Sequence, residues 1–510
     1  MPWLTKSRFT SGLQCPKRLW NEVHEPLVAG VPDSVAFANG RAVDQLVQTM
    51  QPGTVISRAK GMPAAIAETT RLMRDGAPPV LYQPAFRAGD LAVIADVLRS
   101  CGDHATLVEV KSSTSVKPEH LPDVGFQTLV LRRSRVPVDR VLLAHVDRAF
   151  VLKRMGEYDG FIAEQDVTDE IEVALPQIAE SAAALQGVMA SPVRPIVHMG
   201  AQCTSPYECP FIERCTQEQG GHPEFPVELL PRGGKVVEAL VEAGYADLTQ
   251  VPEHLLSNAV HLRVRQATVS GETFFDPAPT LDLRKLNYPM AHLDFETIGL
   301  AIPEIIGTRP YEQLPFQWSL HVEESATRVR HAHFLGLDNF GDFEALARPL
   351  MAALPDAGPV FAYNAPFERG VLDGLADRVP SLASGLRDIS ARLVDLLPIT
   401  RAAYYHRDMK GSWSIKAVLP TIDPGLDYAD LGEVQEGGGA QLAFLQMRAG
   451  PVSAARREEL IRALLKYCER DTWGLVVLRR FLCGGECRED DRSLMNTSRS
   501  AHPVLGSRLP

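Results

Sequence analysis

The chain has 510 residues, 45% of them hydrophobic and 23% charged. That is the composition of an ordinary folded protein, and it excludes a disordered or collagen-like one. A net charge of −11 argues against a protein that coats nucleic acid indiscriminately, yet it leaves room for acidic metal sites beside a local basic run such as LRRSR at 131–135.

Such a length exceeds what one core normally serves, so two or three domains are expected. No apolar run is long enough to cross a bilayer, and the opening MPWLTKSRFTSG has neither the apolar core nor the cleavage site of a secretory signal. A cytoplasmic protein with no membrane partner is the expectation. Eight cysteines are too few for a disulfide framework in so long a chain. Cys15 stands alone in LQCPKRLW, whereas Cys203, Cys209 and Cys215 crowd into CTSPYECPFIERC; Cys101, Cys468, Cys483 and Cys487 read as incidental, the last two at most a weak pair. The chain shows no internal repeat.

In chain order, GDLAVIADVL at 89–98 reads as an alternating strand ending in Asp96, and ATLVEVKSS at 105–113 as a second strand after a CGDH turn. Alternate residues of a strand share a face, so Glu109 and Lys111 point one way while Val108 and Val110 point the other. Asp96 and Glu109 can then hold a metal with Lys111 beside it, positioned to stabilise charge on a phosphate or to orient water. An isolated Glu-x-Lys is more often a surface charge pair. The stretch GFQTLVLRR at 125–133 reads as a helix bringing Gln127 toward the site, and VDRVLLAHVD at 138–147 as a returning strand. Asp96, Glu109, Lys111 and Gln127 together resemble the PD-(D/E)xK nucleases of the RecB-like branch. The resemblance implies catalytic roles for these four residues and a restriction-endonuclease-like fold. It also directs attention to an earlier helix, where the family often has His and NGRAVDQLV offers Asp44 as a substitute metal ligand. The Tyr that often follows the Gln by four positions is Leu131 here.

TDEIEVALPQIAESAAALQGVMA at 168–190 reads as an amphipathic helix leading back to the cysteine trio. One Cys before the nuclease core and three after it resembles the iron-sulfur members of the same branch, which implies a [4Fe-4S] cluster held by Cys15, Cys203, Cys209 and Cys215. Zinc is the alternative, although its sites typically use tighter knuckles than these five-residue gaps.

GGHPEFPVELLPRGG at 220–234 reads as a linker. The segment KVVEALVEAGYADLTQVPEHLL after it suggests short helices, a bare spacer or a helix-hairpin-helix-like module touching a phosphate. HLDFETIG at 292–299 then places Asp294 and Glu296 on one face of an apolar strand; two carboxylates so close repel each other and make chemical sense with a cation between them. FQWSLHVEE and ATRVRHAHFLG read as a hairpin, DFEALARPLMAAL as a helix, and PVFAYNA as a strand. YNAPFERGVL contributes Asn364 and Glu368, with Asp395 weighed as a substitute for the latter, and LLKYCERDTWGLVVL contributes Tyr467 and Asp471 on one helical face. GSWSIKAVLP reads as a substrate-side element whose Lys416 either touches a phosphate or is solvated.

The ordered set Asp294, Glu296, Glu368, Tyr467 and Asp471 resembles the DEDD exonucleases, in their tyrosine-containing branch, with Glu in place of the usual Asp at the second motif. The resemblance implies a ribonuclease-H-like fold and hydrolysis assisted by Mg²⁺ or Mn²⁺, with Tyr467 orienting water. Over nearly the full length, PYECPF, HLDFET, FER and YCERDT are similar to a bacterial family that fuses a RecB-like iron-sulfur nuclease domain to a DEDD-type one. The resulting expectation is an α/β protein: nuclease domain at 1–220, helical module at 221–284, exonuclease domain at 285–483 and a mobile tail. Its expected activity is cleavage of DNA, single-stranded or end-exposed, in repair, recombination or phage defence. A nucleic-acid-binding adaptor with an inactive site and an RNA exonuclease are the alternatives.

Overall fold

Alternating apolar strands joined by amphipathic helices build an α/β protein. The computed structural model describes residues 2–27, 34–76, 78–101, 103–218, 220–221, 223–448, 450 and 452–484. The expected tail and Cys487 lie outside the described residues. Contacts divide the chain into two units, one of Met1–Gly221 with Gly299–Glu312 and one of His222–Ile298 with Gln313–Pro510. Among the described residues, no helix is long and apolar enough to cross a membrane.

The first unit is built on a six-stranded sheet ordered Thr54–Val55, Val80–Tyr82, Val97–Cys101, His104–Lys111, Val138–Val146, Ile162–Asp166. His104–Lys111 runs antiparallel to Val97–Cys101 and parallel to Val138–Val146. The single strand expected at 89–98 is in fact two. Leu91–Ile94 pairs with Leu4–Thr5 and Ala85–Ala88 in a separate small sheet, and Val97–Cys101 joins the large one. Asp96 sits at the break, where its carboxylate accepts the Val110 backbone N–H at 2.9 Å. Helix His120–Arg133 makes the crossover between the parallel strands; it is buried from Val124 through Leu131 because helix Thr168–Ala190 covers its other side. Gly125 permits that closeness, since a Cβ there would collide with Ile178. The segment 299–312 packs into this unit, with Asn39 accepting the Ala301 N–H at 3.0 Å and Tyr311 hydrogen-bonding the Ser112 carbonyl.

In the second unit a five-stranded sheet runs Arg328–Leu335, Gln313–Ser325, Met290–Gly299, Val360–Ala362, Leu393–Asp395. The last three are mutually parallel neighbours and the first two form the expected antiparallel hairpin. The acid-bearing strand is therefore central, with Leu293 and Phe295 buried against the core. The late helix is longer than its motif suggested, spanning Ala454–Leu482. The stretch expected as a linker is packed instead: Phe225, Val227 and Leu230 are buried, and Val227 and Leu248 bond the carbonyls of Ala246 and Phe225. Its apolar residues gain more by burial than a Pro- and Gly-rich segment gains by staying loose.

Candidate functional site

Two clusters of ionisable side chains lie one in each unit. In the second unit, the central strand aims Asp294 and Glu296 at the helix Ala454–Leu482, which returns Tyr467, Cys468 and Asp471. Ligating atoms of Asp294, Glu296 and Cys468 all lie within 4.8 Å of one another. Burial and the neighbouring Asp471 carboxylate push both Asp294 and Glu296 well above the usual carboxyl range. Burial also raises Asp471 to about 6, against the opposing pull of hydrogen bonds from Tyr428 and Tyr467 and the charge of Lys416.

Glu368 joins the same group through the backbone before it. Asn364 adopts a left-handed φ of 72°, rare for a residue with a side chain. That turn starts helix Pro366–Arg378 and places Glu368 in its first turn. Glu368 is buried, one carboxylate oxygen has no hydrogen-bond partner, and burial beside Asp395 raises it to about 8. Asp395 is otherwise engaged: it accepts the N–H groups of Asn364 and Leu397, both at 3.0 Å, as a turn and helix cap. Both of those bonds go to Oδ1 of Asp395.

Three further residues belong here. Tyr428 donates to Asp471 at 2.5 Å. Lys416 lies over the rings of Tyr428 and Tyr467, 5.5 and 5.1 Å from their centroids, so it is part of the cluster rather than a solvated helix start. Cys468, read from sequence as incidental, is fully buried with its sulfur 3.5 Å from Asp294. Its adjacency to Tyr467 was the available signal; Tyr428, in LDYADL, carried none.

In the first unit, Glu109 is 1% exposed, which removes the surface-pair explanation. One of its oxygens accepts Lys6 and Lys111, each at 2.7 Å, and the other accepts Gln127 at 2.7 Å. Burial opposes ionisation there, but the two ammonium groups outweigh it and hold Glu109 far below its ordinary value. Asp96 is pushed well up, by burial and then by Glu109, and Asp44 is raised to about 6 for the same two reasons. The structure thus brings Asp44, Asp96, Glu109, Lys111 and Gln127 into one electrostatic neighbourhood. It adds Lys6 and also Asp123, which hydrogen-bonds Lys111 and lies 3.7 Å from Lys6. Asp123 was legible, four residues before Gln127 on the same helical face; Lys6, more than a hundred residues from its partner, was not. The position of the absent tyrosine is filled by Leu131, a core residue.

A broad cleft of about 1130 Å³ opens beside Lys111, and Lys117, His120, Arg148 and Arg309 line it. Elsewhere in the unit, Cys15, Cys203, Cys209 and Cys215 line one small enclosed cavity. Four thiols lining a common space are a donor set of the kind an iron-sulfur cluster takes, and among the described residues no three of these sulfurs lie within 4.8 Å of one another, a wider spacing than a single zinc ion gathers.

Comparison with known proteins adds two findings. A family model described as a domain of unknown function (DUF2779) matches residues 291–414, a span that includes Asp294, Glu296 and Glu368 and stops short of Asp471. The "Uncharacterized protein MG366 homolog" of Mycoplasma pneumoniae is 24% identical over 225 residues, which cover 39% of this chain and 33% of that protein. The chain is therefore similar to about a third of that curated relative's length.

Proposed function

We propose that this protein is a metal-dependent nuclease that hydrolyses DNA phosphodiester bonds, with the acid cluster of the second unit as a 3′-to-5′ exonuclease centre. The reading rests on one observation: Asp294, Glu296, Glu368 and Asp471 converge from distant segments into a site where burial opposes the ionisation of all four and the neighbouring carboxylates add to it at Asp294 and Glu296. Structural packing alone gives no reason to bury four carboxyls together, whereas a dication neutralises them. The carboxylate donors are hard oxygens, which suit Mg²⁺ or Mn²⁺, burial keeps the Cys468 thiol protonated and so a poor ligand, and the unpartnered oxygen of Glu368 is a donor in waiting. Such an ion supplies water activation and charge neutralisation at the phosphate. The chain's own groups do the rest. Tyr428 and Tyr467 fix the orientation of Asp471, Lys416 adds positive charge for an incoming phosphate, and Phe367, 37% exposed beside Glu368, offers a face for base stacking. The acid-bearing strand, central in its sheet between the hairpin on one side and the parallel strand Val360–Ala362 on the other, supports a ribonuclease-H-like domain. The strand–helix–strand frame around Glu109 supports a PD-(D/E)xK, restriction-endonuclease-like one.

The first unit favours a second reading for its own site. Its basic cleft suits a polyanion, but Glu109 is already satisfied by Lys6, Lys111 and Gln127, as expected of a site that grips nucleic acid without cutting it. In this proposal a [4Fe-4S] cluster on the four cysteines braces that unit, and the whole serves repair, recombination or phage defence.

End-labelled single-stranded DNA, duplex DNA and RNA, each with Mg²⁺ or Mn²⁺, test the proposal. Asp294→Ala should lower release of nucleotides from the 3′ end by about a hundredfold or more, while Lys111→Ala spares it. Equal cleavage by wild type and Asp294→Ala sinks the exonuclease assignment, and faster cleavage of RNA moves the substrate to the other polymer.

A further inference from the structure

On strand Gln313–Ser325, His321 stands directly opposite His331 of strand Arg328–Leu335. Their rings stack with centroids 4.4 Å apart and planes inclined by 26°. Glu469 reaches them from the helix Ala454–Leu482, one residue after Cys468 and so turned away from the acid cluster by one step of the helix. One ring nitrogen from each histidine and one carboxylate oxygen of Glu469 all lie within 4.8 Å of one another.

The surroundings treat the two rings as ligands. Nδ1 of His321 pairs with the Thr472 hydroxyl at 2.8 Å and Nε2 of His331 with the Ser319 hydroxyl at 2.9 Å, and the two hydroxyls bond each other at 2.7 Å. Anchoring one nitrogen of each ring in this way is how proteins orient histidines that bind metal through the other. The remaining nitrogen of His331, Nδ1, lies 3.8 Å from Glu469. The remaining nitrogen of His321, Nε2, has no hydrogen-bond partner although the residue is fully buried. A buried unpartnered nitrogen is an anomaly that a bound ion removes. Glu469 is the most exposed of the three, with 28% of its side chain open to solvent.

We propose that His321, His331 and Glu469 form a site for a transition-metal dication of the zinc class, separate from the acid cluster. Two borderline imidazole nitrogens beside one carboxylate oxygen suit zinc better than magnesium or calcium, and three protein ligands leave a fourth position open. Burial keeps both imidazoles neutral, the form that ligates, with His331 lowered to about 3. Because it joins the hairpin to the helix carrying Tyr467 and Asp471, the ion would hold that helix in register with the sheet. The inference is independent of the nuclease reading.

Zinc binding by the full chain, in excess Mg²⁺ and against a chromophoric chelator, tests it, with Co²⁺ as a spectroscopic probe. Cobalt on nitrogen and oxygen lacks the strong sulfur charge-transfer band that cobalt on the cysteine set would show. Glu469→Gln changes a partly exposed residue and His331→Gln retains a polar group for Ser319, so the fold survives either. Each should weaken one zinc equivalent by about tenfold or more, while Asp294→Asn binds it as wild type does. Binding unchanged in both Glu469→Gln and His331→Gln overturns the proposal, as does a wild-type protein whose only cobalt is sulfur-bound. Loss of the equivalent in Asp294→Asn alone would put the ion in the acid cluster and also overturn it.

Discussion

Glu109 accepts three hydrogen bonds from positively charged or amide donors, and Lys6 supplies one of the two positive charges that neutralise it. A buried carboxylate that loses one of its cations keeps its desolvation penalty without full compensation. Lys6→Met should therefore cost about 2 kcal/mol of stability in metal-free buffer, and Mn²⁺ should restore more of it than it adds to wild type. Urea unfolding with and without Mn²⁺ measures both effects; identical midpoints for the two proteins refute the role given to Lys6. Side chains of this kind mark the limit of reading at the residue scale. Glu109, Lys111 and Gln127 declare themselves through strand and helix spacing, but nothing local distinguishes Lys6 from any exposed lysine, nor Tyr428 from any core tyrosine.

Strand Gln313–Ser325 shows the same limit for a whole element. Its alternation is plain: Phe316, Trp318, Leu320 and Val322 enter the core, and Gln317, Ser319, His321 and Glu323 face the other way. A polar face of this sort normally meets water. Here all four polar side chains are buried, because the helix Ala454–Leu482 lies over them and supplies a partner along its length: the Leu464 carbonyl for Gln317, Thr472 for Ser319 and His321, and Arg479 for Glu323. Burial would push the Glu323 carboxyl up, but the hydrogen bond from His292 and the guanidiniums of Arg479 and Arg480 hold it at about 2. Burial keeps His292 itself neutral, so its contact at 2.9 Å is a hydrogen bond from Nε2 rather than an ion pair. A depressed carboxyl stabilises the fold above its unfolded value of 4.5 and ceases to do so as pH falls through about 2. Acid unfolding of the second unit should accordingly steepen over that window. Glu323→Gln should cost about 3 kcal/mol at neutral pH and flatten the pH dependence of the denaturation midpoint; a parallel pair of curves would refute the assignment.

At the scale of the molecule, one short helix links two chemical features of the first unit. Helix Lys6–Gln14 begins with the lysine that reaches Glu109 and ends at Cys15, while Gln14 bonds the carbonyls of Gln202 and Tyr207 at 2.7 and 2.6 Å. Metal held by the four cysteines would join the ends of a span of two hundred residues, and its binding energy would become folding energy. Cys15→Ser should then lower the melting temperature of the first unit and shift that of the second little, as scanning calorimetry of the anaerobically purified protein can resolve. Iron and sulfide analysis of the same sample separates the candidates: a colourless protein with stoichiometric zinc rejects the cluster.

The α/β class, the hairpin, the helix at Thr168–Ala190 and both acidic motifs follow from the order of residues alone, because periodicity and spacing are local properties that adjacent side chains impose on the backbone. Tertiary structure decided the rest. It split the strand around Asp96, buried the presumed linker, placed 299–312 with the first unit, and brought Lys6, Asp123, Tyr428, Cys468 and the His321–His331–Glu469 trio to their partners. Those pairings depend on which buried surfaces meet, and that is a property of the packed chain rather than of any segment within it.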